Sequence, residues 1–315
     1  MNRNYEPEYM AEQNKTYSLQ EVEEAIEAGD TLESLAIRCT EDNAVILNIG
    51  DGITGRIEFE DIEFRLDGVE VRPISAISRV GRHVKYIPVD IKQIADGKYE
   101  VCCSRKLAQE ICYDNYVSRL IPGDIIDAKV SKIEKYGVFC DIGCGIVALL
   151  PTNYISITHI ADPVNTLGGI KKLKVVVRQI QSDGKIQLTH RELIGTWDEE
   201  VSKFKEGQAV CGVVLAVQEY GVFIRISQNL SGLANIPREI KVKTGDIVSV
   251  YITSITHENM KVKLSIIDRI DGNSEQISFK YYIKSGHIDK WVYTSKHNIS
   301  DKRRIETDFT EMDRR

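Results

Sequence analysis

The sequence predicts a mainly β protein, with small barrels repeated along the chain. Three observations carry that prediction. First, Tyr136-Gly137-Val138-Phe139 returns as Tyr220-Gly221-Val222-Phe223, Gly123 as Gly207 and Val130 as Val214, each 84 positions further on. Second, from Leu35 onward short alternating runs are punctuated by Asp-Gly, at Asp51-Gly52, Asp67-Gly68, Asp96-Gly97, Asp183-Gly184 and Asp271-Gly272. Both residue types tolerate the positive φ of tight hairpin turns. Third, 42% hydrophobic and 28% charged residues over 315 positions is globular composition, enough for two or three domains.

Taken in order, residues 1–33 are an acidic segment containing a short helix over 18–28. Ser18 with Glu21 three positions on is a capping-box pattern, and Gly29 supplies the stop. A first barrel is expected over 34–104. There Val45-Ile46-Leu47-Asn48-Ile49-Gly50 lines up with Val138-Phe139-Cys140-Asp141-Ile142-Gly143, so that Asn43 and Ile46 replace Tyr136 and Phe139. This barrel keeps the frame and lacks the rings. Residues 105–121 and 191–205 lack Pro and alternation, which predicts helical linkers. Between and after them lie a second barrel over 122–190 and a third over 206–267. Residues 268–315 read as an aromatic-rich hairpin, Ser278–Ile283 against Ile288–Tyr293, with a basic tail at Lys302-Arg303-Arg304. The hairpin can be read as an extension of the third barrel, a protein contact, or an RNA contact through Tyr281, Trp291 and Tyr293. Simple local packing is a fourth reading.

Charge is divided unevenly. Residues 1–70 carry 5 Lys and Arg against 18 Asp and Glu, and residues 71–315 carry 36 against 29. The net charge of −6 therefore hides a mildly basic remainder that permits contact with nucleic acid. Nothing approaches the roughly 18 apolar residues of a membrane span, and the polar, acidic start is unlike a signal peptide. A soluble cytoplasmic protein is expected. Seven cysteines without paired CxxC spacing read as buried reduced thiols, and six scattered histidines give no metal pattern. No metal and no cofactor are expected.

Strand alternation assigns the rings. If Val222, Ile224 and Ile226 face inward, Phe223 and Arg225 face outward; if Val138, Cys140 and Ile142 face inward, Phe139 and Asp141 face outward. Tyr136 and Tyr220 add a second ring to each patch. Lys185, and Lys261 with Lys263, open the last strand of their barrels, and Lys171, Lys172, Lys174 and Arg178 make a basic stretch on the strand before. Adjacent exposed rings beside cations suit single-stranded nucleic acid: bases stack for roughly 1–3 kcal/mol each while Lys and Arg meet phosphates. The competing reading packs the rings against a neighbouring barrel or linker helix.

The run Gly-x-Val/Ile-x-x-Ile/Val-x-x-Tyr-Gly-Val-Phe, the following Gly-Leu/Ile turn and the closing Lys-Ile/Val-x-Leu-Ser/Thr strand resemble the S1 RNA-binding domain. The resemblance is good in barrels two and three and weak in barrel one. It implies three tandem five-stranded OB-type barrels, as in the short ribosomal protein S1 homologues of low-GC Gram-positive, especially clostridial, bacteria. It further implies that Tyr136, Phe139, Lys185, Tyr220, Phe223 and Lys261 contact RNA, and that the acidic N-terminal part docks on the small ribosomal subunit. The place where many members carry His holds Ala148, Asn235 and, in barrel one, Glu58; Asn235 keeps hydrogen-bonding capacity. The acidic residue often found before the last turn is replaced by Gln181 and His257. Barrel three is therefore expected to bind better than barrel two, through Tyr220, Phe223, Arg225, Asn235, Lys261 and Lys263, with barrel one a protein-docking module.

Catalysis is not expected. Gly50-Asp51-Gly52-Ile53-Thr54-Gly55 fits GxGxxG, but the residues after it alternate as a strand where a dinucleotide site needs a helix. No Walker loop, nucleophile elbow or HExxH is present. The expected function is non-catalytic binding of single-stranded mRNA in translation. The rivals are a protein-interaction scaffold with vestigial barrels and a regulator of transcription or RNA turnover.

Overall fold

The structure is a computed structural model that describes residues 5–8, 15–66, 70–160, 163–236, 240–270, 279–299 and 304–312. The turns read at Asp67-Gly68 and Asp271-Gly272, together with Ser278, Lys302 and Arg303, lie outside the described residues. Helix α1 (Leu19–Ala28) begins with the expected capping box: the Ser18 hydroxyl accepts from the Glu21 amide while Glu21 accepts from the Ser18 amide at 2.8 Å. Gly29, at φ 67°, ends it in the left-handed conformation that glycine adopts without strain.

Three closed five-stranded barrels follow. The first orders β1 (Leu32–Cys39), β2 (Val45–Gly50), β3 (Ile53–Ile57), β4 (His83–Ala95) and β5 (Lys98–Ser104) as β1-β2-β3-β5-β4, with α2 (Pro73–Ile77) between β3 and β4. Its GxGxxG segment is the β2–β3 hairpin, and Gly50 is glycine because a Cβ there would lie 2.2 Å from the Tyr17 carbonyl. α3 (Arg105–Asn115) is capped by Ser104, and a 3-10 turn follows over Val117–Arg119, within the stretch read as helical.

The second barrel orders β6 (Ile125–Glu134), β7 (Gly137–Gly143), β8 (Ile146–Pro151), β9 (Lys172–Ile180) and β10 (Ile186–Thr189) as β10-β8-β7-β6-β9, with α4 (Pro163–Leu167) before β9. In the second linker only α5 (Trp197–Val201) is helical, held by a Thr196–Glu199 capping box. The third barrel, β11 (Ala209–Gln218), β12 (Gly221–Ser227), β13 (Leu230–Ala234), β14 (Ile247–Thr256) and β15 (Lys261–Ile270), is ordered β11-β12-β13-β15-β14.

Alternation fills these barrels as expected. Val138, Cys140 and Ile142, and likewise Val222 and Ile224, are all 0% exposed. Ile226 is only half-buried, because the β12–β13 ladder shifts register between Arg225 and Ser227. Lys261 opens β15 as predicted, whereas Lys185 stands one residue before β10.

The chain divides into two compact units: 1–120 with 140–148 and 181–185, and 121–139 with 149–180 and 186–315. In the second, a C-terminal hairpin forms, but its strands are β16 (Lys290–Val292) and β17 (Glu306–Asp308), not two adjacent runs. Trp291 and Tyr293 are each 5% exposed and join the core of barrel three, so they are not ligand contacts. Tyr281 is half-buried, its hydroxyl accepting from the Lys174 amide at 3.1 Å.

All seven cysteines are free; Cys103, Cys112, Cys140 and Cys144 are buried as expected, but Cys211 is exposed and Cys39 and Cys102 are half-buried. Among the described residues no helix is long and apolar enough to cross a membrane.

Candidate nucleic-acid interface

The ring pairs are built twice with one geometry. Tyr220 is 68% exposed, and its ring lies edge-on to half-buried Phe223, centroids 6.0 Å apart at 87°. Tyr136 is 61% exposed and meets Phe139 at 6.0 Å and 88°. Edge-to-face contact is the arrangement aromatic quadrupoles favour, and it leaves one ring face open.

The glycine between the rings is a packing requirement. A Cβ on Gly221 would lie 2.7 Å from the Ala234 carbonyl and 2.9 Å from Leu233 Cδ1. On Gly137 it would lie 2.7 Å from the Leu150 carbonyl and 3.0 Å from Leu149 Cδ1. The close approach fixes the same register in both repeats, and that register aims both phenylalanines outward.

From the rings a row crosses the face of barrel three. Phe223 on β12 pairs with Leu233 on β13, and Leu233 pairs with Lys263 on β15. At about 4.8 Å per strand, Lys263 stands about 10 Å from Phe223 on the same face of the barrel. Lys261 and Lys263 are both exposed and alternate with buried Val262 and Leu264. Asn235, exposed, follows β13 directly.

Arg225, opposite Ser231, is half-buried, and burial alone holds its guanidinium below the ordinary arginine range. Among the described residues no carboxylate pairs with Arg225, Lys261 or Lys263. Barrel three thus offers two rings and three cations without a carboxylate partner among the described residues.

In barrel two, three of the cations are paired with carboxylates. Lys185 holds Asp183 at 2.5 Å, Lys174 holds Asp127 at 2.7 Å and Lys132 holds Glu134 at 2.6 Å. Ala148, where a hydrogen-bonding residue was sought, is 2% exposed. Asp141 corrects the alternation argument. It faces away from the barrel's core yet is only 3% exposed, because residues 5–8 cover it: Asp141 Oδ2 accepts from the Glu8 amide at 2.8 Å, and Oδ1 from Gly143 and Gly145.

Glu8 is itself 5% exposed and accepts from Arg105 Nε at 2.7 Å. Burial raises the Glu8 carboxyl and Arg105 more than offsets it, leaving Glu8 below the ordinary carboxylate range. Burial, helped by the nearby Glu8 charge, pushes Asp141 up to about 7.

Barrel one presents carboxylates at the corresponding place. Asn43 occupies the tyrosine's place in a turn at φ 63°, Ile46 is 6% exposed, and Arg56 is clasped by Asp42 and Glu58. Among the described residues no three His, Cys, Asp or Glu side chains are grouped to hold a metal.

Residues 119–191 match the S1 RNA binding domain family. The small ribosomal subunit protein bS1 of Staphylococcus epidermidis is 27% identical over 196 residues, 57% of this chain and 50% of that protein. The chain resembles ribosomal protein S1. The Staphylococcus aureus bS1 protein is 28% identical over 223 residues, covering 64% of this chain and 56% of its own. This chain therefore spans about half the length of the curated relatives it matches. A multidomain protein with nucleic acid binding domains from Streptococcus pneumoniae overlaps 76% of this chain and 73% of its own at 14% identity, with a TM-score of 0.23.

Proposed function

We propose that this protein binds single-stranded RNA without catalysis, in the manner of ribosomal protein S1, holding mRNA during translation in the cytoplasm. The observation that carries the reading is the paired Tyr–Phe edge contact, reproduced at 6.0 Å in two barrels with the tyrosine more than half exposed in each. Bases stack on such rings with little regard to sequence. In barrel three, Tyr220 and Phe223 take bases, Arg225, Lys261 and Lys263 take phosphates, and Asn235 hydrogen-bonds a base or sugar. In barrel two, Tyr136, Phe139 and Lys185 play the same parts more weakly.

Barrel one, with its buried Ile46 and its carboxylates around Arg56, is suited to a protein partner, and the acidic N-terminal part to the small ribosomal subunit. Fluorescence titration with a short unstructured RNA at two salt concentrations tests the RNA-binding reading. Affinity falls with salt, and Tyr220→Ala with Phe223→Ala weakens it at least several-fold; unchanged affinity in that double variant removes the stacking site. Ribosome co-sedimentation with and without residues 1–105 tests the docking.

A further inference from the structure

The two closing strand pairs carry their positive charge on different strands. In barrel three, β14 bulges between Ile252 and Ser254, so Thr253 is the extra residue; its hydroxyl donates to the Lys263 carbonyl at 2.9 Å, and Lys263 supplies the cation. In barrel two the place of Lys263 holds Gln187, which pairs with Leu149 on β8 as Lys263 pairs with Leu233 on β13. The ladder of β9 and β10 bulges at the matching site, between Gln187 and Leu188, and the extra residue there is Arg178. Bulges re-aim a side chain, and here the guanidinium reaches its neighbour: Arg178 Nη1 donates to Gln187 Oε1 at 3.3 Å.

Arg178 is held in place, with no counter-charge among the described residues. Its guanidinium lies 4.2 Å from the centre of the Tyr154 ring, a cation–π contact that fixes the plane of the fork. Arg191 shares that ring at 5.0 Å, but it is neutralised by Glu192 at 3.2 Å and donates to Thr307. Arg178 has no carboxylate partner among the described residues, and its Nε is buried without a hydrogen-bond acceptor. A guanidinium held in place with no carboxylate partner among the described residues is suited to a phosphate.

We infer that Arg178 is the phosphate-binding cation of barrel two, taking the part Lys263 has in barrel three, with Tyr154 as its positioning residue. The inference rests on the RNA-binding reading above and names a contact within it. The cation sits one strand over, and Gln187 holds the place that Lys263 has in barrel three.

The test uses the full chain with barrel three silenced by Tyr220→Ala and Phe223→Ala, titrated with the same short RNA at several salt concentrations. Arg178→Gln lowers affinity about three- to ten-fold and reduces the salt slope by roughly 0.7, the change for one phosphate contact on a single strand. Arg178→Thr with Gln187→Lys, which transplants the arrangement of barrel three, returns both to within about two-fold of the starting chain. Tyr154→Leu lowers affinity less and leaves the slope, because the charge remains. Unchanged affinity and slope in Arg178→Gln overturn the inference, as does a weakened Arg178→Gln chain that the transplant fails to rescue, which makes Arg178 structural. If instead Tyr136→Ala with Phe139→Ala changes nothing in the silenced chain, barrel two does not bind RNA, and that reading of it fails along with the inference.

Discussion

In the second barrel Asp141 is 3% exposed and accepts three backbone N–H groups beneath the chain's N-terminal residues. In the third, the same place of the repeat holds Arg225, half-buried and without a carboxylate partner among the described residues. One strand position, on one frame, thus carries a buried acid that fastens a segment and a half-buried cation with no carboxylate partner among the described residues. The duplicated barrel tolerates both because β7 and β12 give the core their inward residues, Val138, Cys140, Val222 and Ile224, and leave the outward face out of it. What the comparison teaches is that a barrel's outer face is free to be spent on architecture or on recognition, and that the neighbouring charges disclose which.

The largest expected effect breaks the architectural side. Arg105→Met leaves the Glu8 carboxylate, 2.7 Å from the missing guanidinium, buried without its main partner. Removing one member of a buried pair costs about 3–5 kcal/mol, so the unfolding transition of the first unit drops well below its value in the unchanged chain. RNA affinity at barrel three stays as it was. If Arg105→Met instead lowers RNA affinity as strongly as it lowers stability, the division between the two faces is wrong.

The next effect breaks the recognition side. Tyr220→Ala with Phe223→Ala removes stacking worth roughly 1–3 kcal/mol per base, and the matching pair of changes at Tyr136 and Phe139 removes less. Equal losses from the two double variants, measured by titration with the same RNA, contradict the ranking of the barrels.

A smaller effect appears with pH. Asp141, raised to about 7, keeps its proton in the fold over a range where the unfolded chain has lost it, so its contribution is full at acid pH and declines as pH rises toward 7. Glu8, lowered, contributes above its ordinary range and is lost on acidification. Together they make the first unit most stable at mildly acid pH, with a midpoint that falls by a few degrees between about pH 5 and 7 and then levels. Asp141→Ala abolishes that slope; an unchanged slope in the variant assigns the pH dependence elsewhere.

How much of this the sequence disclosed depends on how local each cause is. The ring pairs, the capping box at Ser18 and the turns at Gly52, Gly97 and Gly184 were legible, because periodicity and positive φ are properties of a few adjacent residues. The burial of Asp141 was not, since its covering partner Glu8 lies 133 residues away. The C-terminal strands were misassigned for the same reason: Lys290–Val292 pairs across a connection with Glu306–Asp308, not with the run before it. Arg178 stood in view as part of a basic stretch. It gained a role only when the bulge showed that Gln187 is the side chain it reaches, and a strict alternation count passes over a bulge.

The smallest effect is the most discriminating, because it predicts a gain. Lys185 stands where Lys261 stands in the third barrel, but Asp183 holds its ammonium at 2.5 Å and both are largely solvated. An exposed pair of this kind contributes under about 1 kcal/mol to stability, so Asp183→Asn leaves the melting temperature nearly unchanged. It also removes a negative charge beside Lys185, which makes the local potential more positive toward a phosphate on the proposed RNA face. In a chain silenced at Tyr220 and Phe223, Asp183→Asn should therefore raise affinity about two-fold at low salt and steepen the salt slope, with the gain vanishing as salt screens both charges. The equivalent change is not available in barrel three, where no carboxylate among the described residues pairs with Lys261. A loss of affinity, or a gain that persists at high salt, means that Lys185 lies off the RNA path and that barrel two's weakness has another source.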